Sequence, residues 1–141
     1  MSYTVLHNAC RSRWDTEVGT PNSLATLYDN APEPSGGQPT NARWARFIVR
    51  PGERFQSQIG GASNDYRTPG VCLVQLFAPL EEGDGFLIEL VDLIDTAFRA
   101  ITVGGITFRA PYTAFRGRMP DSDWWQINVN LPFFYDETKT P

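Results

Sequence analysis

The chain has 141 residues, a length that suits one domain with a single core and not comfortably two. With 41% hydrophobic and 20% charged residues, collagen-like and strongly disordered compositions are excluded, and no apolar run approaches the ~18 residues of a membrane span. The formal net charge of −4 excludes a uniformly basic nucleic-acid footprint.

That charge is unevenly placed. Residues 1–80 carry seven basic and six acidic side chains, whereas residues 81–141 carry five basic and ten acidic. Eleven of the twelve basic residues are arginine and only Lys139 is lysine. Arginine suits planar, bidentate contacts at interfaces, although codon bias accounts for the preference equally well. The start at Met1 has neither the basic segment nor the long apolar stretch of a secretory signal, and two cysteines make no disulfide framework. Synthesis in a reducing cytoplasm is therefore expected.

In chain order, the first predicted element is a helix over about 2–17. Val5, Leu6, Ala9, Cys10 and Trp14 share one face at a 3.6-residue period, Ser2 caps the start and Gly19-Thr20-Pro21 supplies the stop. Leu24 to Asp29 reads as a short helical turn or a strand. Residues 31–41 are so rich in proline and glycine that a long mobile loop is expected. From Ala42 the period changes to two: Ala45, Phe47 and Val49 alternate with Trp44, Arg46, Ile48 and Arg50. With the Pro51-Gly52 turn and a second alternating run through Ile59, this predicts an antiparallel hairpin over Arg43–Gly60. A second mobile loop is expected over about 60–70, then a nearly all-apolar strand, Val71–Phe77, central in the sheet and covered on both faces.

The strongest helix signal runs from Phe86 to Ile101, with Asp84 as its N-cap and acids in the preceding turn favouring the helix dipole. Gly104-Gly105 predicts a two-residue hairpin turn. A strand through Ala114–Arg118 follows. In the last long strand Trp125, Ile127, Val129 and Leu131 form one face, and Trp124, Gln126, Asn128 and Asn130 the other. Residues 137–141 read as a frayed tail. Together these elements predict one α+β domain: a mixed, mostly antiparallel sheet with an N-terminal helix and a long amphipathic helix packed on one face.

Signals for catalysis are weak. His7 is the single histidine and has no Ser or Cys nucleophile placed beside it. Cys10 and Cys72 fall at inward positions, where cysteine behaves as a small hydrophobe, and neither belongs to a pair spaced for zinc. No phosphate-binding loop occurs, and Glu81, Glu82 and Asp84, like Asp121 and Asp123, lack the rest of a calcium loop. Neither a catalytic residue nor a metal or cofactor is expected. A small acid–base enzyme and a single-stranded nucleic-acid module remain alternatives; for the latter, arginines interleave with Trp44 and Trp124, but without an RNP-like motif.

Protein–protein contact accounts for more of the surface. Arg43, Arg46, Arg50 and Arg54 cluster on the predicted hairpin beside Trp44, with Trp124 on the equivalent face of the last strand, while Glu89, Asp92 and Asp95 lie on the outer face of the long helix. Unlike patches on one chain are what a head-to-tail ring pairs. The same acids could instead line a passage and repel nucleic acid; the pairing with arginine is preferred.

The order of these features resembles the tail terminator (tail completion) proteins of long-tailed bacteriophages. The resemblance covers roughly residues 25–136. It runs from Tyr28-Asp29-Asn30 and the Pro/Gly loop through Arg43-Trp44-Ala45-Arg46-Phe47 and Thr68–Phe77. It continues with Ala97-Phe98-Arg99, Gly105-Ile106-Thr107-Phe108 and Trp124–Val129. It implies an α+β fold assembling as a hexameric ring that ends tail-tube polymerisation. The ring would offer a docking surface to the head-side connector and leave a lumen through which DNA passes without specific binding. Partners would be further copies of the chain, the tail tube protein and the connector, with no membrane, in the virion at the head-proximal end of the tail. A neighbouring head–tail connector or neck protein is the alternative within the virion. Pro34, Gly36 and Gly37 in the first loop, and Gly61, Asn64, Asp65, Tyr66 and Arg67 in the second, are the candidates for tube or connector contact.

Overall fold

The computed structural model describes residues 3–22, 24–28, 43–56, 64–80, 85–118 and 124–139. It shows an α+β fold in which two helices pack on one face of a mixed, mostly antiparallel sheet of eight strands. The chain opens with helix α1 (Tyr3–Trp14), which widens into a π-helical turn over Asp15–Gly19, where the Thr20 N–H donates to the Asp15 carbonyl at 2.9 Å. Strand β1 (Ala25–Tyr28) pairs parallel to β2 (Trp44–Pro51), and β2 pairs antiparallel to β4 (Asn64–Pro79). The short β3 (Phe55–Gln56) also pairs with β4. Helix α2 (Gly85–Phe98) leads to the β5–β6 hairpin (Thr102–Val103, Ile106–Phe108), then to β7 (Tyr112–Arg118) and β8 (Trp124–Lys139). Strand β8 is paired with β4 along all sixteen residues, and β6 and β7 flank its two halves on the far side.

The core lies between the sheet and the helices. Alternation puts Ala45, Phe47 and Val49 of β2 inward. In register with them are Cys72, Val74 and Leu76 of β4, and Ile127, Val129 and Leu131 of β8, all buried. Leu6, Cys10 and Trp14 of α1, and Leu87, Leu90, Ile94 and Phe98 of α2, close the layer. Trp14 stacks on Phe47 at 5.4 Å between ring centroids, and its indole N–H donates to Thr26 Oγ1 at 2.9 Å. The polar tip of a buried tryptophan thus has its partner, as burial demands.

Several expectations need correcting. The segment 64–70 is strand rather than loop: Asn64 through Gly70 pair with Lys139 back through Phe133. For the same reason the chain from Asp136 to Lys139 is not frayed, because each of those residues has a cross-strand partner. The expected hairpin over 43–60 does not form. Strand β2 takes β4 as its antiparallel neighbour, and beyond Pro51 the Gly52 N–H donates to Pro69 O at 2.6 Å, carrying the chain along β4 instead of back along β2. Strand β4 is central as expected but buries one face fully; Val71, Leu73 and Gln75 on the other are half-buried. Helix α2 stops at Phe98, three residues short of the expected end, because Ala100 takes a left-handed conformation at φ 54°. The expected cap Asp84 lies outside the described residues.

Candidate functional site

The residues expected to form an interface are divided among three places. Arg46 and Arg50 project from the sheet face opposite the helices, by the alternation that buries Ala45, Phe47 and Val49. Arg46 donates to Gln75 Oε1 at 3.4 Å and lies 5.7 Å from the Trp44 ring centroid. Arg43 and Arg54 are not with them. Arg43 stacks at 4.0 Å on the ring of Phe86, in the first turn of α2. Arg54 donates to Thr68 Oγ1 at 3.2 Å and sits over Tyr3 of α1. The expected four-arginine patch is therefore reduced to Arg46 and Arg50, because the run that bears Arg54 never pairs with β2.

Trp44 was expected to be exposed and is only 3% accessible. It stacks on Phe77 at 4.1 Å and meets Trp124 edge-on at 5.9 Å, forming a small aromatic cluster on the outer sheet face. Gln126 and Asn128 are buried beside it in the strand register and bond to each other at 2.6 Å. The Trp44 indole nitrogen is buried with no acceptor among the described residues.

On the opposite side of the molecule, Glu89 and Asp92 are exposed on α2, while Asp95 pairs with Arg99 one turn on at 3.3 Å. The outward helix face thus stays acidic at two of its three expected positions. Among the loop candidates, Asp65, Tyr66 and Arg67 sit in β4 with Asn64; Arg67 forms a two-pronged ion pair with Asp136 at 2.8 and 3.0 Å and stacks on Phe134 at 4.0 Å. Pro34, Gly36, Gly37 and Gly61 lie outside the described residues.

Cys10 and Cys72 are both fully buried and free, and burial together with the Cys10 thiol pushes the Cys72 thiol well up. Such groups are poor nucleophiles. His7 lines an open hollow of about 440 Å³ with Tyr3, Thr4, Asn8, Arg11 and Val49, and partial burial and the Arg11 guanidinium lower its pKa. No group of three His, Cys, Asp or Glu among the described residues is placed to hold a metal, and no described helix is long and apolar enough to cross a membrane.

Two further surfaces are not announced by the sequence. Strand β7 pairs with β8 alone among the described residues and exposes Tyr112 at 59% and Phe115 at 68%, next to Arg116 and Arg118. A strand through Ala114–Arg118 is expected from the sequence, but nothing local to it tells that β8 is its one partner among the described residues. At the far edge of the sheet, an open groove of about 500 Å³ runs beside β1, lined by Asp15, Gly19, Leu24, Thr26 and Tyr28 among others. There the Tyr28 hydroxyl donates to the Asp15 carboxylate, and burial together with that bond raises the Tyr28 pKa above its ordinary value. This groove depends on the π-helical turn, which sequence periodicity does not announce.

No family model matches the chain, and no curated protein matches it. Among solved structures, one chain whose name states no function is 20% identical over the whole of this chain and 99% of its own, with a TM-score of 0.63. That likeness bears on the fold alone.

Proposed function

We propose that this chain is the tail terminator of a long-tailed bacteriophage, a structural protein without catalytic activity that assembles as a hexameric ring at the head-proximal end of the tail. The ring stops tube polymerisation, docks the head-side connector and leaves a passage for DNA. The observation that carries this reading is architectural: helices cover one face of a mixed sheet, the arrangement the resemblance implies, and the outward helix face is acidic at Glu89 and Asp92.

With Arg43 and Arg54 drawn into contacts within the chain, pairing of the acidic helix with a four-arginine surface loses its basis. The acids are better used facing the passage. A carboxylate-lined wall repels the phosphate backbone and keeps DNA from adhering during transit.

Phage carrying a stop codon in place of this reading frame test the proposal. Tails of uncontrolled, excessive length are the expected product, restored to uniform length when the chain is supplied in trans. Tails of normal length beside unattached heads would assign the chain to the connector instead.

A further inference from the structure

Helix α1 lies on the sheet with Leu6, Cys10 and Trp14 as its buried row. At one end of that row Trp14 stacks on Phe47 of β2, and towards the other Tyr3, Thr4 and His7 share a hollow with Val49 of the same strand. Val49 is the register partner of Cys72 in β4. Cys10, between Leu6 and Trp14, thereby comes down over Cys72, and the two thiols are in hydrogen-bond contact. Both side chains are fully buried, and the chain has no third cysteine. Each thiol thus has one possible partner within the molecule, carried by an element distant in sequence.

We propose that Cys10 and Cys72 form a modification site, at which an oxidant of the small-molecule disulfide class joins them in a bond that fixes α1 to the centre of the sheet. The surroundings favour the bond once it is made. Val49 and Leu131 flank Cys72 across its two strand pairings, and a disulfide brings no polar hydrogen into that apolar layer, whereas two thiols bring one each. With both sulfurs shut off from solvent, exchange starts when α1 lifts from the sheet. The Cys10 thiolate attacks a sulfur of the oxidant RSSR, forming Cys10–S–SR and releasing RS⁻. The Cys72 thiolate then attacks the Cys10 sulfur, closing the protein disulfide and releasing the second RS⁻. Two protein thiols are oxidised, one RSSR is reduced to two RSH, and the protons lost by the cysteines end on the leaving thiolates. The cross-link ties a terminal helix to the sheet and restricts the unfolded chain, so the oxidised fold is the more durable one. The site stands apart from the ring reading, which supplies only an occasion for it: a protein made in a reducing cytoplasm and released in a particle passes into oxidising surroundings.

Refolding of the full chain from urea in a mixture of oxidised and reduced glutathione tests this, because both thiols then meet the oxidant however seldom α1 lifts. Remaining free thiols are alkylated, and the chain is digested with trypsin without reduction. The expected product is a folded chain lighter than the reduced one by two hydrogens, unalkylated, with peptide 1–11 joined to peptide 68–99. Its thermal midpoint is expected to fall when dithiothreitol is added, and Cys10→Ala and Cys72→Ala chains are expected to show no such fall. A folded wild type that stays reduced, carries glutathione on both cysteines or is linked only between copies overturns the site. A 10–72 linkage that leaves the midpoint unchanged or lowers it overturns the proposal equally, since the bond then does not fit the fold.

Discussion

At Gly70 the chain of β4 passes between β2 and β8 with no room for a side chain. A Cβ there would lie 2.7 Å from the Arg50 carbonyl oxygen, 2.7 Å from Phe133 Cζ and 2.9 Å from Pro51 Cα. Two of those neighbours are backbone and cannot swing aside. Gly70→Ala is expected to destabilise the fold by about 1–3 kcal/mol, read from the shift in urea midpoint. His7 gives a second check at this scale. Its pKa is lowered in the fold, so below about pH 6.5 the unfolded chain takes up a proton that the folded chain resists. Stability from this group therefore falls as pH drops through that region, and His7→Asn is expected to flatten the acid limb of a pH series of urea midpoints. The cysteines show how far single residues could be read in advance. Their inward positions followed from periodicity, and both are buried, but that helix α1 sets Cys10 against Cys72 of β4 was not encoded near either one.

Elements were legible in proportion to how local their determinants are. The Gly104-Gly105 turn has both residues at positive φ, at 57° and 84°, and joins β5 to β6 as the dipeptide alone predicted. Helix α2 ends before its apolar period does, because Ile101 continues the period while the backbone has already turned at Ala100. Ala100 is exposed and in the left-handed region, where a Cβ is unfavourable. Ala100→Gly is therefore expected to stabilise the protein by about 0.5–1 kcal/mol, measured as a raised thermal midpoint. Strand partners were the least legible feature. Trp44 stands opposite Phe77 and Asn64 opposite Lys139, pairings between residues distant in sequence. The alternation in β2 correctly assigned Ala45, Phe47 and Val49 to the core, yet the same alternation is compatible with any neighbour that shows the same inward face.

For the whole molecule, the uneven charge of the two halves becomes a difference between surfaces. Glu89 and Asp92 face away from the sheet on one side, and Arg46 and Arg50 project on the other. If the acidic face borders the DNA passage, Glu89→Lys with Asp92→Lys is expected to make an assembly that otherwise leaves duplex DNA unshifted retain it at low salt. The effect is expected to vanish as ionic strength rises, and a gel-shift series across salt concentration measures it. These positions are on the helix surface, so the melting profile should stay close to that of the wild type.

The α+β class, the inward-facing residues, the Gly104-Gly105 turn and the acidic helix face could all be derived from the chain in one dimension. Each depends on a period or a dipeptide within a few residues of itself. The tertiary structure alone decided that β4 and β8 run together for sixteen residues, that Arg43 and Arg54 turn onto Phe86 and Tyr3, and that β6 and β7 share the far side of β8. These features arise from contacts between distant segments, where packing and backbone pairing choose among partners that local pattern leaves equivalent.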